Sequence, residues 1–332
     1  MWHYPLLVLG SSIKKLCAVS LLKTGMNARL APILRSRQVL TVLCFHRISD
    51  EHSPAYPPLP VAVFDQLLGY ICDNYIVADI NAIDHNPPMP QVILSFDDGY
   101  EDFYINALPI LKKRKLPFVL SIIAGCAAQE CSLWTQKLNK YLETFLDGRS
   151  LHYGGETYTI TNGNIERIAV KLYKDLAMLG PAERYQRMKQ IRSQCPVTPQ
   201  ETRFMNWEQI RACVAAGGSV FNHTYSHENM GMHVMPDMLL REINMSKQTI
   251  EECTGASVNG FTFPNSMYDN DSLEHVLDDD AYHHVFLVEH DINRIGGGEK
   301  LLKRLLMSKT SLSENIVTIE SYLRHLKLKL FS

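Results

Sequence analysis

Two adjacent carboxylates stand at the end of an apolar segment. Asp97, Asp98 and Gly99 directly follow residues 92–96 (VILSF), which are typical of a strand buried on both faces. Neighbouring strand residues point to opposite sides, but Gly99 permits a sharp turn, so both carboxylates could face one cavity. Two such groups can divide labour, one binding a metal ion and the other taking a proton. Taken alone, the Asp-Asp-Gly sequence is more typical of a solvated turn.

His223 and His227 form a second set of residues capable of chemistry, in the segment NHTYSHEN that follows an expected strand at 218–222. On one helical turn, this spacing can place both imidazoles on one metal ion. The chain has 13 histidines in 332 residues, so roughly 0.5 pairs at any one spacing arise by chance, and the position after a strand counts for more. Together with one carboxylate, the two imidazoles would make a three-ligand set with open positions, which is typical of a catalytic metal site.

Strands that alternate with helices would bring these groups together. Such alternation predicts a parallel sheet or an α/β barrel, in which catalytic groups gather at the carboxyl ends of the strands. The expected strands are 39–45, 92–96, 118–123, 218–222, 258–263 and 284–288, and the expected helices include 101–114, 206–216, 237–253 and 313–329.

The alternation is interrupted between residues 126 and 205. Apolar residues recur there at helical spacing from Trp134 to Phe145, and a hairpin is expected around Gly154 and Gly155, followed by two charged helices. We interpret residues 126–205 as an insertion beside the barrel mouth. The barrel itself would then consist of residues 39–125 and 206–332, preceded by a basic segment, 1–38.

Composition narrows the possible partners and compartments. The net charge of −2 favours no nucleic-acid partner, and the eight cysteines form no CxxC pair, which indicates reduced thiols and a cytoplasmic location. Residues 1–38 are basic and contain no acidic residue. They could lie on the anionic inner face of a membrane, cover the barrel as a solvated helix, or act as a transit peptide.

Four segments carry a resemblance to a known family. SFDDGY resembles the TFDDG motif of the polysaccharide deacetylases (carbohydrate esterase family four), and HTYSH resembles their His-Ser/Thr-x-x-His motif. FTFPNSMYD is similar to the third motif of the family, and TVLCFHRISD to an early segment of a subset that acts in surface-polysaccharide pathways. The resemblance runs from about residue 40 to 310 and implies an α/β fold, a distorted (β/α)7 barrel, here with a helical and hairpin insertion.

The resemblance also implies roles for individual residues. Asp97 matches the general base, and Asp98, His223 and His227 match the ligands of one divalent metal ion, for which Zn²⁺ is the usual expectation. Substrate-binding positions are expected at Pro264, Asn265 and Arg304. A backbone N–H near Met267 would hold the oxyanion.

Two departures from the family pattern concern the base and the acid. Phe261 and Thr262 stand where many members carry an Arg that orients the base, and Arg304 could substitute for it. The late Leu-x-His that supplies the catalytic acid is not evident. His46, at the end of the first strand, is our preferred catalytic imidazole, although a core histidine bonded to a backbone carbonyl is an equal alternative. Cys44 is expected to be a packing residue.

The sequence thus predicts a metal-dependent hydrolase that removes N-acetyl groups from a polysaccharide, an oligosaccharide or a lipid-linked saccharide. Two alternatives remain at this point. One is a carbohydrate-binding protein of the same fold without activity, and the other is a metal-dependent hydrolase of another amide or ester.

Overall fold

A computed structural model describes residues 39–231, 235–287, 289–296 and 300–320. The basic segment 1–38 and the end of the helix expected at 313–329 lie outside the described residues. The strands are β1 (Val39–Phe45), β2 (Ile76–Val77), β3 (Gln91–Asp98), β4 (Phe118–Ile122), β5 (Ser150–Tyr153), β6 (Glu156–Thr159), β7 (Gly218–Asn222), β8 (Gly260–Thr262), β9 (His284–Leu287), β10 (Asn293–Arg294) and β11 (Leu301–Leu306).

Eleven α-helices accompany these strands in the described residues: α1 (Val61–Asn74), α2 (Leu108–Arg114), α3 (Ala124–Ala127), α4 (Trp134–Glu143), α5 (Ile165–Ala177), α6 (Pro181–Ser193), α7 (Trp207–Ala215), α8 (Pro236–Leu239), α9 (Ser246–Thr254), α10 (Asn270–Asp278) and α11 (Leu312–Ile319). Wide π-helical turns, Phe103–Ala107 and Leu240–Met245, precede α2 and α9, where the sequence predicted continuous α-helix.

Seven parallel strands close into a barrel. Their order is β1, β11, β9, β8, β7, β4 and β3, and β1 also pairs with β3, which joins the two ends of the sheet. The expected (β/α)7 barrel is therefore confirmed. Strand β11 was not predicted as a strand, although it carries Arg304 and lies next to β1.

Strands β1, β3 and β4 are buried on both faces, which explains why they contain continuous apolar runs in the sequence. The outward face of β11 is partly exposed, at Leu301 and Lys303. Outward residues such as Leu43 and Leu94 belong to the same hydrophobic cluster as residues of the surrounding helices, among them Leu67. Inward residues form a second cluster that fills the barrel: Leu40, Val42, Ile93, Val119, Phe221, Phe286 and Leu302. The interior of the barrel is thus apolar where these seven side chains lie.

The segment between β4 and α7 has a hydrophobic cluster of its own. Residues of α4, α5, α6 and the β5–β6 hairpin form it, including Leu142, Leu151, Leu172 and Ile191. The hairpin turns at Gly154 and Gly155, both with positive φ, as the sequence predicted. A separate core agrees with an insertion, and the division of the chain at residues 126 and 205 stays a prediction.

Among the described residues, no helix combines the length and apolar character that a membrane crossing requires. The described part of α11, Leu312–Ile319, packs against α1 on the outside of the barrel.

Gly260 should tolerate no side chain. A Cβ atom at this position would lie 2.2 Å from the Phe221 ring on the neighbouring strand, inside the barrel. We expect Gly260→Ala to lower the free energy of unfolding by about 1–3 kcal/mol because the ring must move. Gly69→Ala, in helix α1 with nothing within 4 Å, should instead raise it by up to about 1 kcal/mol. Urea unfolding measures both, and equal effects of the two variants would contradict this account of the packing.

Candidate active site

The barrel interior becomes polar towards the carboxyl ends of the strands. Above the apolar cluster, the inward residues are Cys44, Ser95, Asp97, Ser121, Thr262 and Arg304, all of them buried. A cavity of about 270 Å³ opens above this layer. Its walls include His46, Asp97, Asp98, His223 and His227. The structure therefore brings together all the predicted catalytic and metal-binding residues, at the end of the barrel where such groups are expected.

Asp98, His223 and His227 meet at one point. Asp98 Oδ1 lies 3.3 Å from Nε2 of each histidine. His223 Nδ1 is 2.8 Å from the carbonyl oxygen of Thr262. Because a carbonyl only accepts, Nδ1 carries the proton and Nε2 presents its lone pair towards Asp98. Asp98 Oδ1 is buried and makes no hydrogen bond of acceptable geometry within the described residues. Three electron-rich atoms without a donor between them fit a divalent cation.

The ionisation of this group agrees with a cation site. Burial raises the pKa of Asp98, but His223 and His227 outweigh it and lower the pKa to about 2. Burial also lowers the pKa of His227 to about 4, so its imidazole is neutral at neutral pH and able to act as a ligand. For His223, burial lowers and the Asp98 carboxylate raises the pKa, and the carboxylate outweighs burial. A proton and a cation therefore compete for Nε2 of His223.

Left-handed backbone is concentrated in this site. The described residues include seven non-glycine positions with positive φ, and four of them lie here: Asp98 (72°), Thr224 (65°), His227 (60°) and Asn265 (54°). Such conformations cost free energy and persist where the surroundings enforce them, often at functional sites. Two sequence interpretations need correction. Gly99 does not make the turn alone, since Asp98 itself is left-handed, and His223 and His227 lie in a loop rather than on a helical turn.

Asp97 forms a buried ion pair with Arg304. The Nη1 atom of Arg304 donates to Asp97 Oδ1 at 2.7 Å, and Cys44 Sγ lies 3.4 Å from Asp97 Oδ2. Burial raises the pKa of Asp97, but the guanidinium and the nearby imidazoles outweigh it, so the pKa lies well below its usual range. Arg304 is fully buried and bonds Asp97 directly, as expected if it replaces the Arg that orients the base in many family members. Its direct contact with substrate stays a prediction.

His46 is the cavity histidine outside the cation site. A ring nitrogen of His46, Cys44 Sγ and an oxygen of Asp97 all lie within 4.8 Å of one another. The late histidines are elsewhere: His275 bonds Asn244, His284 stacks on Phe221, and His325 lies outside the described residues. None of the described late histidines is part of the cavity wall.

Cys44 contacts the Asp97 carboxylate and is therefore more than the packing residue that the sequence predicted. Burial raises the pKa of its thiol well above the usual value, so the thiol is neutral and donates weakly to Asp97. Because the thiol is protonated and Arg304 already bonds Asp97, the group formed by Cys44, His46 and Asp97 suits proton handling better than a second cation.

Several residues of the cavity wall were not predicted from the sequence. Tyr56, Tyr100 and Phe263 contribute aromatic surface, and helices α4 and α5 of the insertion contribute Gln136, Asn139 and Tyr173. Gln136 Nε2 donates to the Tyr100 hydroxyl at 2.9 Å. The only signal was local: Tyr100 directly follows Gly99, and Gln136 and Asn139 share one face of α4.

The third motif lies at the mouth as expected. Asn265 lines the cavity, and Pro264 begins the 3-10 turn Pro264–Ser266 that carries it. The N–H of Met267, expected to face an oxyanion, donates instead to the Pro264 carbonyl at 3.0 Å.

Removing Arg304 should destabilise the barrel strongly. Arg304→Met leaves the Asp97 carboxylate buried without its partner, so we expect a loss of about 3–5 kcal/mol in the free energy of unfolding. The double variant Asp97→Asn/Arg304→Met contains no unpaired charge and should recover much of this loss. The exposed Arg114–Asp65 pair is the control, and Arg114→Met should cost at most about 1 kcal/mol. Urea unfolding decides, and a double variant no more stable than Arg304→Met would argue against the pair.

Comparisons with known proteins agree with this geometry. The family model described as polysaccharide deacetylase matches residues 84–282, well over half of the chain. A search of curated proteins finds no significant match. The matched range includes Asp97, Asp98, His223, His227 and residues 126–205 but excludes His46 and Arg304.

Solved structures show the same fold at low identity. The Streptococcus pyogenes deacetylase PplD, solved with acetate, aligns with a TM-score of 0.56 and 17% identity over 85% of this chain and 98% of its own. IcaB from Ammonifex degensii aligns with a TM-score of 0.55 and 19% identity over 86% and 97%. A Bacillus cereus polysaccharide deacetylase gives 0.55 and 15% over 85% and 69%. With a matching family model and the predicted motif residues together at one barrel mouth, the chain belongs to the polysaccharide deacetylase family.

Proposed function

We propose that the protein is a metal-dependent N-deacetylase that hydrolyses the acetamide of an N-acetylated sugar in a polysaccharide, an oligosaccharide or a lipid-linked saccharide. The observation that carries the proposal is the convergence of Asp98, His223 and His227 next to an ionised Asp97 in one cavity. A divalent ion held by these three residues, with Zn²⁺ as our expectation, would polarise the acetamide carbonyl and activate a water molecule.

Asp97 is proposed as the general base. Its Oδ1 atom accepts from Arg304 and Ser95, whereas within the described residues the hydrogen bond to Oδ2 comes from the weakly donating thiol of Cys44. Oδ2 is therefore the oxygen available to take a proton from the attacking water. Arg304 fixes the direction of this carboxylate and keeps it ionised, which is the role of a positioning residue.

His46 is proposed as the acid that protonates the leaving sugar amine. It lies on the cavity wall beside Asp97, and no other described histidine outside the cation site lines the cavity. Proton transfer to nitrogen is required because an amine is a poor leaving group without it.

The cavity walls are chemically suited to a sugar. Aromatic rings of Tyr56, Tyr173 and Phe263 offer apolar surface, while the amides of Gln136 and Asn139 offer hydrogen bonds to hydroxyl groups. Since Gln136, Asn139 and Tyr173 belong to the insertion, we propose that the insertion takes part in substrate selection. A cytoplasmic location with peripheral contact to an anionic membrane also stays a prediction, and it depends on residues 1–38, outside the described residues.

The two adjacent carboxylates should be separable by mutation. Asp98→Asn should weaken Zn²⁺ binding and abolish acetate release together, because the amide is a poorer cation ligand. Asp97→Asn should retain Zn²⁺ while activity falls by about 10²–10⁴-fold, because an amide cannot accept a proton at neutral pH.

Metal content, melting temperature and acetate release from an N-acetylated sugar oligomer are measured for both variants and the wild type. Equal Zn²⁺ retention in the two variants would sink the division of roles, even if both were inactive. If the variants lose stability but keep their metal content, Asp97 and Asp98 serve only to shape the turn at the end of the strand.

His46→Gln should remove activity and leave the cation site intact. We expect kcat to fall by about 10²–10⁴-fold with Zn²⁺ affinity within a few-fold of wild type, because the amide cannot deliver a proton. His152→Gln, on the exposed hairpin, is the matched control and should behave like wild type. Full activity in His46→Gln with lowered stability would identify a core histidine instead.

The wild type tests the two alternative functions in the same assays. A protein that binds Zn²⁺ and an N-acetylated oligosaccharide but releases no acetate at high concentration would be a carbohydrate-binding protein. Release of acetate from simple esters or amides, and not from sugars, would indicate a different hydrolase.

A further inference from the structure

The two histidines of the cation site are supported differently. His223 is oriented by its ring, through the bond from Nδ1 to the Thr262 carbonyl. The ring of His227 has no such support, since its Nδ1 is buried and makes no hydrogen bond within the described residues. Metal-binding histidines usually depend on a partner at the second nitrogen. The His227 ring contacts the His223 ring edge-on, with centroids 4.8 Å apart, and the His227 N–H donates to Thr224 Oγ1 at 3.0 Å. Without a bond at Nδ1, the position of the ring depends more strongly on the left-handed backbone of His227 and on the residues at either side.

Anchors from two different parts of the chain hold that backbone. On the preceding side, the N–H and hydroxyl of Ser226 both donate to Glu242, at 2.8 and 2.7 Å, and Glu242 belongs to the turn before α9. On the following side, Glu228 forms an ion pair with Arg184, and Asn229 Nδ2 donates to the Ala177 carbonyl at 3.2 Å. Arg184 and Ala177 belong to the insertion, and Asn229 also accepts a hydrogen bond from Asn265 of the third-motif loop at 3.1 Å.

Arg184 is built into its position. Only 4% of its surface is exposed, its Nη1 donates to the Leu179 carbonyl at 3.2 Å, and its guanidinium lies 5.1 Å from the centre of the Trp134 ring. Trp134 in turn stacks on Tyr173, which lines the cavity. Arg187 lies one turn further along the same helix, but 43% of its side chain is exposed, and its ion pair with Glu183, at 3.5 Å, lies on the helix surface.

We propose that Arg184 is a positioning residue for the metal site, holding His227 in ligand geometry through Glu228. The insertion would then set the affinity for the cation as well as contact the substrate. This inference rests on the metal site of the proposed function, and nothing in the family motifs includes Arg184.

Whether removal of Arg184 weakens or strengthens cation binding distinguishes a positioning role from a simple electrostatic effect. Removing a positive charge near a cation site should tighten cation binding by Coulomb's law. Loosening a ligand should weaken it, and changes around metal ligands typically cost 10–100-fold in affinity. A weaker site after removal of Arg184 can therefore not be attributed to its charge.

The experiment measures the Zn²⁺ dissociation constant of the full chain by competition with a chelator. Arg184→Gln should raise the constant by about 10-fold or more. Arg184→Lys, which keeps the charge but loses the planar fork and the stacking on Trp134, should give a smaller increase. Arg187→Gln should stay within about twofold, because exposed ion pairs contribute little. At saturating Zn²⁺, the activity of Arg184→Gln should return towards that of wild type.

Melting temperatures of the metal-free proteins accompany each measurement. If Arg184→Gln does not fold, Arg184→Lys decides, since its charge is unchanged and any weakening reflects geometry. Zn²⁺ binding by folded Arg184 variants that is as tight as in the wild type, or tighter, would overturn the inference and leave the proposed function standing. A wild type that binds no Zn²⁺ would overturn the proposed function first and this inference with it.

Discussion

The buried ion pair of Asp97 and Arg304 is the interaction on which the site depends. Both side chains point into the closed barrel and are almost completely removed from water. Taking two charges out of water is costly, and their attraction offsets that cost only with good geometry. The geometry comes from barrel closure, because β3 and β11 flank β1 on its two sides. Cys44, on β1, consequently lies between the two strands and reaches Asp97 with its thiol.

The ion pair of Asp97 and Arg304 also helps to explain how the adjacent carboxylates of Asp97 and Asp98 can both remain ionised. Like charges at neighbouring positions in a buried site would raise each other's pKa. Arg304 neutralises Asp97, and the left-handed backbone of Asp98 turns the second carboxylate towards the two imidazoles. Asp97 thus has a permanent positive partner, whereas a proton on His223 or a cation in the proposed site would balance the charge of Asp98. Different partners are the usual physical basis for giving two similar groups different chemical roles.

The insertion is more closely joined to this chemistry than its position outside the family motifs suggests. It has its own hydrophobic cluster, yet it forms one wall of the cavity and bonds the chain directly after His227. Asn229, anchored on Ala177, also accepts a hydrogen bond from Asn265 at 3.1 Å. One polar network therefore links the insertion, the loop of the cation site and the loop of the third motif. A structural change within the insertion would therefore alter the hydrogen bonds of both loops.

Much of the architecture could be predicted from the sequence. The strands expected at 39–45 and 218–222 match the structure, and the strand expected at 118–123 ends one residue earlier, at Ile122. These strands could be predicted because buried strands leave continuous apolar runs between polar turns. Asp97, Asp98, His223 and His227 were identified from their positions after such strands and from the family resemblance, and the parallel arrangement necessarily gathers strand ends at one edge.

Other features were decided only by the tertiary structure. The contact of Arg304 with Asp97 joins strands about 200 residues apart, and β11 itself was missed because its charged residues obscure the apolar run of a buried strand. The left-handed turn at Asp98, the thiol of Cys44 beside Asp97 and the link from Arg184 to Glu228 are likewise absent from any local pattern. Local periodicity records which residues are buried, whereas the partner of a buried charge is chosen by how the closed barrel and its insertion pack together.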